Sequence, residues 1–194
     1  MRLDLYDNKW FERGKPAWVE SLWLVVQAIF VQSWIPGANH RAALLRQFGA
    51  QVGEGVDIKP GVKVKFPWRL KIGDFSWIGE DVWMDNLAPI TIGSHCCISQ
   101  GVYLCTGSHN WKSERFDLIT EPIEIQNKVW LAAKSMVGPG VTVGEGAVLA
   151  LGSVATKDLK AGWIHQGVPA VAIRKREGQK LGRWEDGKEQ SAER

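Results

Sequence analysis

Cysteine is scarce: there are three in 194 residues, Cys96, Cys97 and Cys105. The number is odd, two are adjacent, and no Cys-x-x-Cys occurs. This argues against a disulfide framework or a zinc knuckle and for a reducing compartment. An excess of one charge is also missing. Lys plus Arg number 24 and Asp plus Glu 21, a formal net of +3, and no basic block stands out, so nucleic acid is not an expected partner. The opening "MRLDLYDNKWFERG" scatters acids and has no apolar run. No secretory signal is read there, and a cytoplasmic location is expected.

Tryptophan is abundant: eleven in all, with Trp10, Trp18, Trp23 and Trp34 near the start. Residues 17–34, "AWVESLWLVVQAIFVQSW", predict a helix in which Glu20 is the single charge, ended by Pro36-Gly37. A second, shorter helix is predicted over "NHRAALLRQFG", with Gly49 as its stop. The first is shorter than the ~20 apolar residues of a membrane span. Two readings stay open for it: packing on the rest of the protein or another subunit, and peripheral contact with a membrane surface. The first is favoured, because the helix lacks the Lys and Arg of a surface-lying one. Residues 1–49 are thus expected to form a helical N-terminal extension.

From residue 50 the rhythm changes. "AQVG", "LKIG", "ITIG", "IEIQ" and "VTVG" recur, and within each unit an aliphatic residue returns every six positions. Ile72, Ile78 and Met84 form one set and Ile92, Ile98 and Leu104 the next. Ile125, Leu131 and Val137 follow, then Val143, Leu149 and Ala155. A period of six fits neither a helix nor a hairpin. It predicts an all-β solenoid in which three hexads make one triangular coil and each aliphatic residue stacks on its counterpart one coil along. About five coils fit, and glycine is expected at corners that exclude a Cβ.

The hexads, together with the closing stretch "LALGSVATKDLKAGWIHQGVPAVAIRKR" (149–176), resemble the hexapeptide-repeat acyltransferases. "CISQGVYLCTGSHNW" (97–111) and the Trp-rich start are more narrowly similar to the O-acetyltransferases of exopolysaccharide synthesis, the colanic acid type. The resemblance implies a left-handed parallel β-helix over residues 50–173, a homotrimer, and acetyl-CoA as cosubstrate with no metal. A polar tail is expected over 174–194.

His109 stands where the pattern breaks. Ile92 and Ile125 lie 33 residues apart, too many for one coil, so a loop is expected at about 107–124. His109 falls at its base, on an outward corner position. Long loops on rigid scaffolds are favoured sites of function. An imidazole can take a proton from an attacking hydroxyl at neutral pH and return it to a leaving thiolate. The resemblance gives this general-base role to the histidine of "TGSH", which is His109.

It likewise implies that "NKVWLAAKS" places Trp130, Ala133 and Lys134 along the acetyl-CoA groove. Leu151, Gly152, Thr156, Lys157 and Arg174 follow toward the nucleotide end. Trp77, Trp83 and Trp130 all occupy outward positions, suited to a subunit interface. On the acceptor side the chain departs from the galactoside and maltose enzymes: their sugar-holding Asn and Asp fall here at Gly79 and Leu87. "WMDNL" supplies Asp85 and Asn86 instead as candidate hydroxyl binders.

The expected activity is acetyl transfer from acetyl-CoA to a sugar hydroxyl of an exopolysaccharide precursor, on the cytoplasmic side, with the inner face of the membrane open as its place. One alternative is a non-catalytic trimeric scaffold. Another is a zinc-dependent carbonic anhydrase of the same fold, disfavoured because Glu114 stands where a second histidine is expected and the chain has four histidines in all.

Overall fold

The computed structural model describes residues 1–37 and 39–177. From Gln51 the chain winds through short strands on three flat faces, every neighbour within a face parallel until the last strand. The first face stacks Gln51–Val52, Leu70–Ile72, Ile90–Ile92, Ile123–Ile125 and Thr142–Val143. The second runs from Asp57–Ile58 through Trp77–Ile78, Cys97–Ile98, Trp130–Leu131 and Val148–Leu149 to Trp163–Gly167. The third stacks Lys63–Val64, Trp83–Asp85, Tyr103–Cys105, Met136–Val137 and Val154–Ala155. A further turn is begun by Leu159, bridged to Val143, so the solenoid has about six turns where about five were expected.

The six-residue period is the cause of this geometry. Every aliphatic residue predicted to point inward, from Ile72 to Ala155 in sequence order, is at most 2% exposed and belongs to one continuous core.

 In that set Ile78, Ile98, Leu104, Leu131, Val143, Leu149 and Ala155 are wholly buried. Each stacks on its counterpart one coil along, as in the registers Ile78↔Ile98 and Leu131↔Leu149. Gly73 and Gly79 serve close approach between coils. A Cβ on Gly73 or Gly79 would come within 2.6 or 2.7 Å of a backbone nitrogen of the next coil. Left-handed corner positions are filled by glycines such as Gly101, Gly146 and Gly152 and also by Asp81, His95 and Lys134.

The N-terminal helices close one end of the stack. Helix α1 (Ala17–Val26) continues into a π-helical turn, Gln27–Val31, and α2 (Asn39–Gln47) follows. An end coil leaves strand edges bare, and bare edges invite mispairing. Here Trp23 Nε1 donates to the Val64 carbonyl at 2.7 Å, and the Val64 N–H donates to Gln27 Oε1 at 2.5 Å. The buried Arg41 guanidinium ties the connecting loop by donating to the carbonyls of Val31, Ser33, Ile35 and Gly37. One face of the long helix is therefore packed on the coil, as favoured from sequence. Its opposite stripe, Trp18, Leu22, Val25 and Ile29, is exposed. Among the described residues no helix is long and apolar enough to cross a membrane.

At the other end Ala170–Lys175 folds back antiparallel on Trp163–Gly167, with Arg174 opposite Ile164. Arg174 and Lys175 thus belong to the sheet and not to a tail. The rest of the expected tail, from residue 178, lies outside the described residues.

Candidate active site

The predicted loop is a β-hairpin. Gly107–His109 pairs antiparallel with Leu118–Thr120, setting His109 opposite Leu118. It leaves the coil at the corner after the third face. There the buried Thr106 hydroxyl donates to the Asp85 carbonyl at 2.9 Å and accepts from the Ala88 N–H at 2.9 Å. The hairpin is thus fixed to the coil below it at its root.

His109 is half-buried. Its Nδ1 lies 2.8 Å from the Phe116 carbonyl oxygen. A carbonyl can only accept, so Nδ1 carries a proton, and in the neutral ring the lone pair is on Nε2. The Phe116 ring stacks on the imidazole at 4.2 Å, 4° from parallel. Phe116 has φ +52°, a left-handed conformation unfavourable for a bulky residue. One strained turn residue thus supplies both the carbonyl and the ring that hold the histidine.

The first sixteen residues reach this hairpin, a contact that the sequence reading missed. The Arg2 N–H donates to the Glu114 carbonyl at 2.7 Å, and the Tyr6 ring lies 5.6 Å from the His109 ring. The segment is fastened to the coil by Trp68 Nε1, donating to the Arg13 carbonyl at 2.7 Å, and by the Arg69 guanidinium, donating to the Glu12 carbonyl. Phe11 stacks on Phe66 at 6.3 Å, and Arg69 sits 5.1 Å from the Phe11 ring centroid. The clusters of aromatic and charged residues in "YDNKWFER" are the only hint of this in the sequence, and they lack a period that would place them.

Together the segment, the corner and the hairpin enclose a cavity of about 240 Å³. Tyr6, Asn8, Phe11 and Arg13 form one wall, Lys65, Phe66 and Leu87 another, and His109 and Leu118 the third. Beside it, Asp85 Oδ2 accepts from the Tyr103 hydroxyl at 3.2 Å. Asp85 Oδ1 lies 3.1 Å from Lys65 Nζ, an ion pair without hydrogen-bond alignment. Burial, with Cys105 and Asp85 adding to it, pushes the Tyr103 phenol well above its ordinary pKa, so it stays a donor.

The two candidate hydroxyl binders separate. Asp85 is partly accessible and close to the cavity through Lys65. Asn86 is a correction: it is wholly buried, its Oδ1 accepts from the Phe66 N–H at 2.9 Å and its Nδ2 donates to the Phe66 carbonyl at 2.7 Å. It supports the corner beneath the cavity, and nothing of it is left for a sugar.

The positions expected along the acetyl-CoA groove occupy two edges of the coil. Trp130 lies on the second face, 45% exposed, with Nε1 donating to Ser99 Oγ at 3.0 Å. Ala133 and Lys134 form the next corner, and Leu151 and Gly152 the same corner one coil on, joined by the Gly152 N–H to the Ala133 carbonyl at 3.1 Å. Thr156 and Lys157 follow the third face, while Arg174 stands on the closing strand. Leu151 is 71% exposed, and a Cβ on Gly152 would meet nothing within 4 Å. Lys157 and Arg174 are exposed and form no ion pair among the described residues. This is open ground suited to a slim amide-bearing arm with a phosphate end.

The other histidines are occupied elsewhere. His95 stacks on Phe75 at 5.4 Å, and His165 is buried, its Nε2 accepting from the Lys160 N–H at 3.1 Å. Burial lowers the His165 pKa. Among the described residues no three His, Cys, Asp or Glu side chains come together to hold a metal.

A parallel β-helix of six-residue units with a histidine on a corner hairpin defines the class of hexapeptide-repeat acyltransferases. The comparisons narrow it. The colanic acid biosynthesis acetyltransferase WcaF assigned in Escherichia coli K12 is 45% identical over 170 residues, 87% of this chain and 92% of that protein. A hexapeptide-repeat acetyltransferase of Vibrio cholerae, solved with acetyl-CoA, superposes with a TM-score of 0.77 at 28% identity, covering 84% of this chain and 89% of the other. A galactoside acetyltransferase solved with coenzyme A gives 0.78 at 25% identity, covering 90% of each chain. No family model matches the chain. The chain belongs to the hexapeptide-repeat acetyltransferases and is an acetyltransferase.

Proposed function

We propose that the chain transfers the acetyl group of acetyl-CoA to a sugar hydroxyl of a bacterial exopolysaccharide precursor of the colanic acid kind, with His109 as general base. The observation that carries this is the His109–Phe116 contact. It fixes the proton on Nδ1 and leaves Nε2 without a partner among the described residues, on a side chain that lines a cavity. Nε2 takes the proton of the acceptor hydroxyl as its oxygen attacks the thioester carbonyl. The carbon–sulfur bond then breaks, and the imidazolium returns the proton to the leaving thiolate, giving the O-acetyl sugar and free coenzyme A. No covalent enzyme intermediate is needed.

Trp130, Ala133, Lys134, Leu151, Gly152, Thr156, Lys157 and Arg174 hold acetyl-CoA in this reading, and Asp85 assists on the acceptor side through Lys65. Because the acetyl-CoA positions lie on two edges, the site is completed between subunits of a homotrimer, with exposed Trp77 and Trp83 at the contacts. Coenzyme A complexes of two solved relatives support the cosubstrate, and the relation to the colanic acid enzyme supports the acceptor class. The free cysteines fit a cytoplasmic location, and the exposed stripe of α1 fits contact with the inner face of the membrane.

The experiment is thiol release from acetyl-CoA across a panel of exopolysaccharide oligosaccharides, with wild type and His109→Ala. Acceptor-dependent release that falls by about 10² or more in the variant supports the assignment. Absence of coenzyme A binding overturns it in favour of a trimeric scaffold.

A further inference from the structure

The charged side chains that line the cavity beside His109 are all of one sign. Two of its lining residues, Arg13 and Lys65, are cations, and none is a carboxylate. Each cation is held by an acid outside the lining. Arg13 Nη1 contacts both Glu20 oxygens at 2.8 Å, and Lys65 Nζ lies 3.1 Å from Asp85 Oδ1. The anchoring acids are the more buried partners: the side chains of Glu20 and Asp85 are 17% and 16% exposed, against 56% for Arg13 and 42% for Lys65. An ammonium has three N–H donors and a guanidinium five. Glu20 engages one nitrogen of the guanidinium, so donors of both cations remain for a ligand. Around them stand the amide of Asn8, the phenol of Tyr6 and the apolar Phe11, Phe66 and Leu87.

We infer that this cavity selects an acceptor bearing an anionic group, the carboxylate of an acidic sugar or the phosphate of a sugar phosphate, which Lys65 and Arg13 bind while a hydroxyl faces His109. The inference rests on the acetyltransferase reading of the same cavity. At about 240 Å³ the cavity is smaller than the ~300 Å³ at which drug-sized ligand pockets begin. It therefore admits one sugar unit, with the remainder of a glycan outside. A neutral sugar accepts the remaining donors of both cations through uncharged oxygens, whereas an anion adds a Coulomb attraction and binds them with both partners charged.

The test is binding to the full chain, read from the ring signals of His109 by NMR and assigned with His109→Gln. Glucuronate, glucose 1-phosphate and glucose are titrated at one ionic strength into wild type, Lys65→Met and Arg13→Gln. At least one anionic probe is expected to bind roughly tenfold or more tightly than glucose, and either substitution to remove most of that advantage. Preference for glucuronate assigns the carboxylate, and preference for glucose 1-phosphate assigns the phosphate. Equal affinity for all three probes, or an anion preference intact in both variants, overturns the inference. Acetyl-CoA binding in the same samples separates two failures. Anion preference absent with acetyl-CoA bound overturns this inference alone, and absence of both overturns the acetyltransferase reading with it.

Discussion

In the coils an aliphatic residue returns every six positions and is buried against its counterpart one turn away. In the hairpin of residues 107–120 and its root at Thr106 no period holds, and the side chains that matter are held by a few specific contacts: His109 by the Phe116 carbonyl and ring, Thr106 by Asp85 and Ala88. The coil spreads its stability over many equivalent contacts, so losing one costs stability and leaves the chemistry intact. The hairpin concentrates its role in a few unique atoms, so losing one should cost chemistry and little stability.

That division can be broken most sharply by replacing residues 111–116 with an Asn-Gly turn between Asn110 and Asp117. The Asn110 N–H donates to the Asp117 carbonyl at 2.8 Å, and two-residue turns of that type close such a hydrogen-bonded pair. The change removes the Phe116 carbonyl while keeping His109. Acetyl transfer is expected to fall by about 10² or more, with the melting temperature close to wild type. A large loss of stability would show that the hairpin holds the coil together.

The converse is Ile98→Ala, wholly buried in a central coil. Its expected cost is about 2–5 kcal/mol of stability by denaturant unfolding, with turnover per folded molecule unchanged. Asn86→Ala sharpens the boundary between the two regions. It orphans the Phe66 N–H and carbonyl and should cost about 1–3 kcal/mol, with the acceptor KM unchanged. A raised KM at unchanged stability would return Asn86 to the acceptor site.

The smallest effect concerns pH. Burial lowers the His165 pKa, so the folded chain keeps it neutral where the unfolded chain would take up a proton. Its contribution is full above the unfolded value of about 6.5 and is lost progressively as pH falls from there through the lower folded value. His165→Gln should therefore flatten the fall in melting temperature between about pH 7.5 and 5.5 relative to wild type. An unchanged slope would show that His165 is protonated without penalty in the folded protein.

The coils were legible because their cause is local: a hexad repeats its own instruction, and stacking like on like needs no distant information. The outward positions of Trp77, Trp83 and Trp130 followed from the same register. His109 was legible as the break in that register. Asn86 was misplaced because a polar residue beside the site looks the same in sequence whether it faces a sugar or satisfies a buried backbone. The Phe66 edge that claims it lies 20 residues away. The N-terminal segment was missed for a related reason, since Tyr6 and Arg13 have no period to place them.

Composition and period alone thus established a solenoid, its inward residues, and the corner where a histidine leaves it. The tertiary structure decided which carbonyl fixes the histidine's proton, which chain segment closes its cavity, and which polar side chains are already spent. The physical reason is range. A repeat writes the same short-range contact many times, whereas a site is made of single contacts between residues far apart in the chain, such as Tyr6 with His109 and Arg13 with Trp68.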